Sequence, residues 1–183
     1  MQYNLPSGKE VEFVLGDITK ITADAIVNAA NNTLLGGEGV DDAIHAAAGP
    51  DLYAECLKIG YCETGQAVIT KGYRLPVKNI IHTVGPMWFE TATPENKDAL
   101  LASAYRSSLA LAEENSLPHI AFPSISTGAF LFPVERAAPI AIKTVLEFLQ
   151  SSVAVKKVTF VLHSKPDFDC YTQYYDILTL SSK

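Results

Sequence analysis

Cysteine is scarce in this chain: Cys56, Cys62 and Cys170 are the only three in 183 residues. They form no CxxC pair, and their odd number cannot close a disulfide framework, so a reducing, cytoplasmic setting is expected. Positive charge is also short. Lys and Arg number 14 against 20 Asp and Glu, for a net charge of −6. The clustered cations that non-specific nucleic-acid binding needs are missing, so nucleic acid is not an expected partner. No apolar run approaches the roughly 18 residues of a bilayer-spanning helix, so no membrane partner is expected. The opening stretch Met1-Gln2-Tyr3-Asn4-Leu5-Pro6 has neither the basic region nor the apolar core of a secretory signal, which argues against secretion. His45, His82, His119 and His163 show no metal-ligand spacing among themselves or with the cysteines, so no metal and no cofactor is expected. No GxGxxG follows a first strand, which removes the main sign of a dinucleotide oxidoreductase.

Apolar residues, by contrast, make up 48% of the chain and charged residues only 19%. That balance suits one compact domain spanning residues 1–183. Glu10 to Leu15 alternates as a strand, and Ala25-Ile26-Val27 is a short buried one. Helical spacing runs from Val40 to Lys58, with a break at Gly49-Pro50. Strands follow at 66–70 and 79–84, then a helix from Pro94 to near Asn115. A strand at 120–122, a helix from Pro133, a strand at 157–162 and a helix from about Pro166 complete the pattern. Strands alternating with helices predict an α/β fold with helices on both sheet faces.

Two glycine-bearing loops each leave a short strand and run into a helix. The first spans Asn28 to Asp41 and the second Pro123 to Phe130; neither contains Lys or Arg. Backbone N–H groups at two helix starts can hold a diphosphate without side-chain cations. In α/β sheets the ligand crevice lies at the carboxyl ends of the strands, where Asp17 and both loops are predicted to meet. Alone, Asp17 and Asp41 read equally as helix caps, Asn31 as a turn residue, Asn28 as support for its loop and His82 as a satisfied core residue.

Gly16-Asp17-Ile18-Thr19, Ile26-Val27-Asn28-Ala29-Ala30-Asn31 and Gly36-Gly37-Glu38-Gly39-Val40-Asp41-Asp42-Ala43-Ile44-His45 resemble the macrodomain family, specifically its MacroD-type branch. Ala47-Ala48-Gly49-Pro50, Cys62-Glu63-Thr64-Gly65, Ile81-His82-Thr83-Val84-Gly85-Pro86 and Ile125-Ser126-Thr127-Gly128 continue the match in order, over nearly the whole chain. The resemblance implies a three-layer α/β/α fold around a mixed sheet. It also implies binding of ADP-ribose, with removal of mono-ADP-ribose from acidic side chains or deacetylation of O-acetyl-ADP-ribose. The implied partners are therefore ADP-ribose, O-acetyl-ADP-ribose or a mono-ADP-ribosylated protein.

Carried over by position, Asp17 would accept from the adenine amine, with Ile18 beside the ring. Gly37, Gly39, Val40, Ser126, Thr127, Gly128, Ala129 and Phe130 would line the diphosphate and neighbouring ribose. Asn31 and Asp41 would be catalytic at the distal ribose: Asn31 orients its hydroxyls, and Asp41 polarises the attacking water and stabilises an oxocarbenium-like state. Glu38, Asp42 and Leu131 stand where the family pattern usually has glycine, and Ala46 where it often has Arg. Glu38 and Asp42 would put negative charge near the diphosphate, where like charges a few ångströms apart cost on the order of 1 kcal/mol or more, so Glu38 is expected to point outward or to tune which ligand enters. Leu131 would narrow the pocket or restrict the loop. These departures keep two alternatives in view: a module that binds ADP-ribose without turnover, and an ADP-ribose-1″-phosphatase using the same pocket.

Overall fold

The computed structural model describes residues 1–180; the last three positions of the expected 1–183 domain lie outside the described residues. A seven-stranded sheet runs in the order β1-β2-β7-β6-β3-β5-β4. Its strands are β1 (Gln2–Asn4), β2 (Glu10–Leu15), β3 (Ala25–Ala29), β4 (Ala67–Lys71), β5 (Asn79–Thr83), β6 (His119–Phe122) and β7 (Lys157–Leu162). The five inner strands pair in parallel, while β1 and β4 close the edges antiparallel. Among the described residues five α-helices cover the sheet: α1 (Val40–Ala48), α2 (Pro50–Ile59), α3 (Pro94–Glu114), α4 (Val134–Ser151) and α5 (Lys165–Leu180).

The strand pleat sorts the core into two layers. Val27, Ile81, Phe122 and Phe160 face one side, where Tyr105 of α3, Ala141 of α4 and Tyr171 of α5 pack on them. Their neighbours Ile26, Ile80, Ala121 and Val161 face the other side, against Ile44 of α1 and Leu52 and Cys56 of α2. Because both faces are covered, the inner strands read as continuous apolar runs rather than alternating ones. The fold is the expected three-layer α/β/α arrangement around a mixed sheet.

β3 hands the chain to α1 on one face, whereas its neighbour β6 leads to α4 on the other. This reversal opens a crevice at the carboxyl ends of the two strands. β2 and β7 are parallel to them and finish on the same edge. Sequence patterning missed β1, whose three residues are half-buried at most, so no alternation marks it. It also missed the one-turn 3-10 helix Ile18–Lys20.

Candidate active site

At that edge lies a cleft of about 490 Å³. One end is built by the turn after β2. Asp17 caps the 3-10 helix: its Oδ1 accepts from the Thr19 amide at 2.9 Å and the Thr19 hydroxyl at 2.7 Å. These bonds hold the carboxyl below its ordinary 3.8. The cap and the cleft-lining position coexist, since Oδ1 serves the cap and leaves a second oxygen. Ile18 is 5% exposed beside it.

Two loops form the middle of the cleft. Gly39 precedes α1 with φ 63° and ψ −126°, and no side chain caps the helix. The backbone turns there through a region that side-chain-bearing residues rarely enter, leaving the first-turn N–H groups of α1 uncapped. Across from it, the loop after β6 is held by main-chain bonds from Trp88 to Phe130 and from Phe132 to Ser126, at 2.8 and 2.9 Å. Thr127 ties its hydroxyl back to Ser124 Oγ at 2.8 Å. The backbone amides from Ser126 to Phe130 donate no hydrogen bond among the described residues. Ser126 itself is left-handed at φ 67°, and its buried hydroxyl has no partner among the described residues. A concave row of bare donors with no cation suits a diphosphate.

Asn31 and Asp41 meet at the other end. Asn31 staples the glycine loop, donating from Nδ2 to the Gly36 carbonyl at 2.9 Å and accepting from Thr33 Oγ1 at 2.8 Å. The two side chains flank Gly37 so closely that a Cβ there would lie 3.1 Å from Asp41 Oδ2 and 3.2 Å from Asn31 Nδ2. Asp41 is only 2% exposed. Burial pushes its carboxyl above the ordinary value; a hydrogen bond from Asn28 Nδ2 at 2.7 Å and the nearby His45 pull the other way. His45 Nε2 stands 3.5 Å from Asp41 Oδ1. The result is a nearly buried carboxylate at one end of a cleft lined with bare backbone donors, an arrangement that suits activation of a water.

Residues 27–141 match the Macro domain family. The chain belongs to that family. An O-acetyl-ADP-ribose deacetylase of Escherichia coli strain K12 is 48% identical to this macrodomain, over 88% of this chain and 92% of its own. The ADP-ribose glycohydrolase MACROD2 of Xenopus laevis is 53% identical, over 89% of this chain but 39% of its own length. Among solved structures, a mutant macrodomain of Oceanobacillus iheyensis with ADPR superposes with a TM-score of 0.91 at 44% identity, covering 98% of each chain.

Every ligand-binding or catalytic residue that the sequence nominated lines this same cleft: Asp17, Ile18, Asn31, Gly37, Gly39, Val40, Asp41, Ser126, Thr127, Gly128, Ala129 and Phe130. The departures from the family pattern sort differently. Glu38 lies at the rim and is exposed to solvent. Asp42 and Ala46 face a separate shallow groove behind the glycine loop. Leu131 does not narrow the cleft; it points away, 63% exposed, and takes up a left-handed φ of 55°.

Sequence reasoning did not nominate Gly85, His163, Ser164 and Asp167, which also line the cleft. The junction after β7 was readable as a strand-to-helix turn, but its residue types carry no chemical signature. Nor did spacing announce that His45, Cys56 and His82 bring potential ligand atoms within 4.8 Å of one another, from α1, α2 and β5. Both His82 ring nitrogens are already within hydrogen-bond distance of protein groups. Burial pushes the Cys56 thiol up to about 11.

Proposed function

We propose that this macrodomain binds ADP-ribose conjugates and hydrolyses them, removing mono-ADP-ribose from acidic side chains and deacetylating O-acetyl-ADP-ribose. The observation that carries this reading is the buried Asp41 facing Asn31 across Gly37, at the end of a cleft whose middle offers main-chain donors and no Lys or Arg. The adenine amine meets the free oxygen of Asp17. The diphosphate sits between the start of α1 and the Ser126–Phe130 loop, and the distal ribose reaches Asn31. Asp41 then takes a proton from water as its oxygen attacks the anomeric carbon and the substrate carboxylate departs. The same pair can direct water to an acetyl carbonyl on that ribose. A reducing cytoplasm is consistent with the free, buried Cys56 and Cys62.

The deciding experiment incubates the purified protein with a carrier protein mono-ADP-ribosylated on glutamate. Release of ADP-ribose is expected. Persistent label alongside calorimetric binding of free ADP-ribose would reduce the protein to a binding module. Phosphate release from ADP-ribose-1″-phosphate in place of that activity would make it a phosphatase.

Asp17→Asn separates the two jobs of that residue. The amide oxygen can keep the Thr19 cap, since Asn caps as well as Asp. Its NH2 would then confront the adenine amine, donor against donor. ADP-ribose affinity is expected to fall about tenfold, the size of one lost charged hydrogen bond at a solvent-exposed position. At neutral pH the melting temperature should fall only slightly, because the lowered carboxyl is exposed to solvent. Unchanged affinity would remove adenine from that end of the cleft.

A further inference from the structure

We propose that His82 is a positioning residue for Asp41, acting through the side-chain amide of Asn28. The inference rests on the hydrolase reading above. Asn28 and His82 are register partners on β3 and β5, so their side chains leave adjacent backbones on one sheet face. That face lies under α1, which carries Asp41. Asn28 Nδ2 reaches Asp41 Oδ1 at 2.7 Å and His82 Nδ1 at 3.0 Å. His82 Nε2 reaches the Thr70 hydroxyl of β4 at 2.9 Å. Asn28 and His82 are wholly buried, and Thr70 and Asp41 are 2% exposed.

Hydrogen-bond chemistry assigns every proton in this row. An ionised Asp41 offers only lone pairs, so the atom at 2.7 Å is the amide NH2. Its second hydrogen faces Nδ1, which must therefore carry none. The ring proton sits on Nε2 and goes to Thr70 Oγ1. Thr70 in turn lies within reach of the backbone carbonyls of Lys71 and Ile80, at 3.3 and 3.5 Å. Protonating His82 would set Nδ1–H against the amide hydrogens, and burial already pushes the ring down to about 3. The neutral ring thus fixes the amide, and the amide fixes one oxygen of Asp41 while the other faces Gly37.

Folding alone does not ask for this row. Asn28 Oδ1 is buried with no partner among the described residues, a loss of stability that an apolar pair would avoid. Flipping the amide would set that oxygen against the carboxylate. The orphan is the consequence of aiming NH2 at Asp41.

The test compares His82→Phe, which removes the acceptor, with His82→Gln, whose amide oxygen can replace it. The titratable groups acting on Asp41 are His45 and Asp42 of α1 and Cys56 of α2, with His82 of β5 reaching it through Asn28, and only the last is altered. In His82→Phe the Asn28 bond that lowers the Asp41 carboxyl loosens. Its titration, followed by carboxyl 13C shift, should move to higher pH. In parallel, kcat should fall about tenfold or more while the ADP-ribose Kd stays within about threefold. His82→Gln should recover most of the rate.

An unshifted Asp41 titration, or a parallel loss of rate and affinity that His82→Gln does not relieve, would overturn the proposal. Should His82→Phe fail to fold, ring 15N spectra of the unaltered protein decide: the Nε2–H form down to about pH 5 is expected, and Nδ1–H would refute it. The carboxyl and ring signals need no turnover. A protein that shows them without hydrolysing a conjugate would lose the hydrolase reading, not the His82–Asn28–Asp41 linkage.

Discussion

Asp41→Asn should lower kcat by about 10²–10⁴-fold, the usual contribution of a positioned base, while ADP-ribose affinity stays within about tenfold. In the proposed reaction the lost group acts on the transition state, whereas the loop amides and Asp17, proposed to hold the ground state, remain. Single-turnover release of ADP-ribose from a modified carrier, with calorimetry on free ADP-ribose, measures both. Rate and affinity collapsing together would make Asp41 a structural residue. A stability effect of definite sign accompanies the change. Burial keeps the Asp41 carboxyl above its ordinary 3.8, so it ionises less readily in the folded chain than in the unfolded one. The resulting deficit in folding stability is absent well below pH 3.8. It grows as pH rises from there to the raised folded value, then stays level. The amide replacement has no such deficit. Its melting temperature relative to the unaltered protein should therefore climb across that window and remain at least equal at pH 7.

Gly85→Ala should weaken ADP-ribose binding by about 10–100-fold and cost roughly 1–3 kcal/mol of stability, the range for overpacking a filled site. A Cβ on Gly85 would stand 2.0 Å from Ser126 Oγ and 2.7 Å from Ile125 Cγ2. Something must move, and what moves is the loop that presents the bare amides. Ser126 cannot easily absorb the push, being 5% exposed and held at φ 67°. Adding Ser126→Gly removes the nearer clash and relaxes the left-handed position. The double variant should regain part of both losses. Unchanged affinity in Gly85→Ala would mean that this loop does not hold the phosphates.

The two loops and Asp17 were legible as strand-end features because each follows a predicted strand, and parallel strands end on one sheet edge. The roles of Asp17, Asn31 and Asp41 came from the resemblance to the macrodomain family, since alone they read as caps and a turn residue. Helix limits were equally plain at Gly49-Pro50, Pro94 and Pro133, where Pro and Gly punctuate the backbone. Partnerships across strands were not. Asn28 and His82 stand 54 positions apart, and nothing in either local pattern states that β3 and β5 are neighbours. His82 looked like a core residue and is one, fully buried and hydrogen-bonded; its line to Asp41 exists only through register. Of the two expectations for Leu131, crowding the cleft fails because the side chain is carried outward, while its left-handed φ of 55° matches the expected restriction of the loop.

Residue order therefore determined the alternation of strands and helices and the glycine loops free of Lys and Arg, which follow from periodicity and backbone freedom within a few neighbours, and the family resemblance pointed to the residues available for chemistry. The tertiary structure decided which oxygen of Asp41 is held, which amides stay bare and where Glu38 and Leu131 point. Those outcomes depend on strand order and close packing between segments distant in the chain, and local propensity does not encode distances between them.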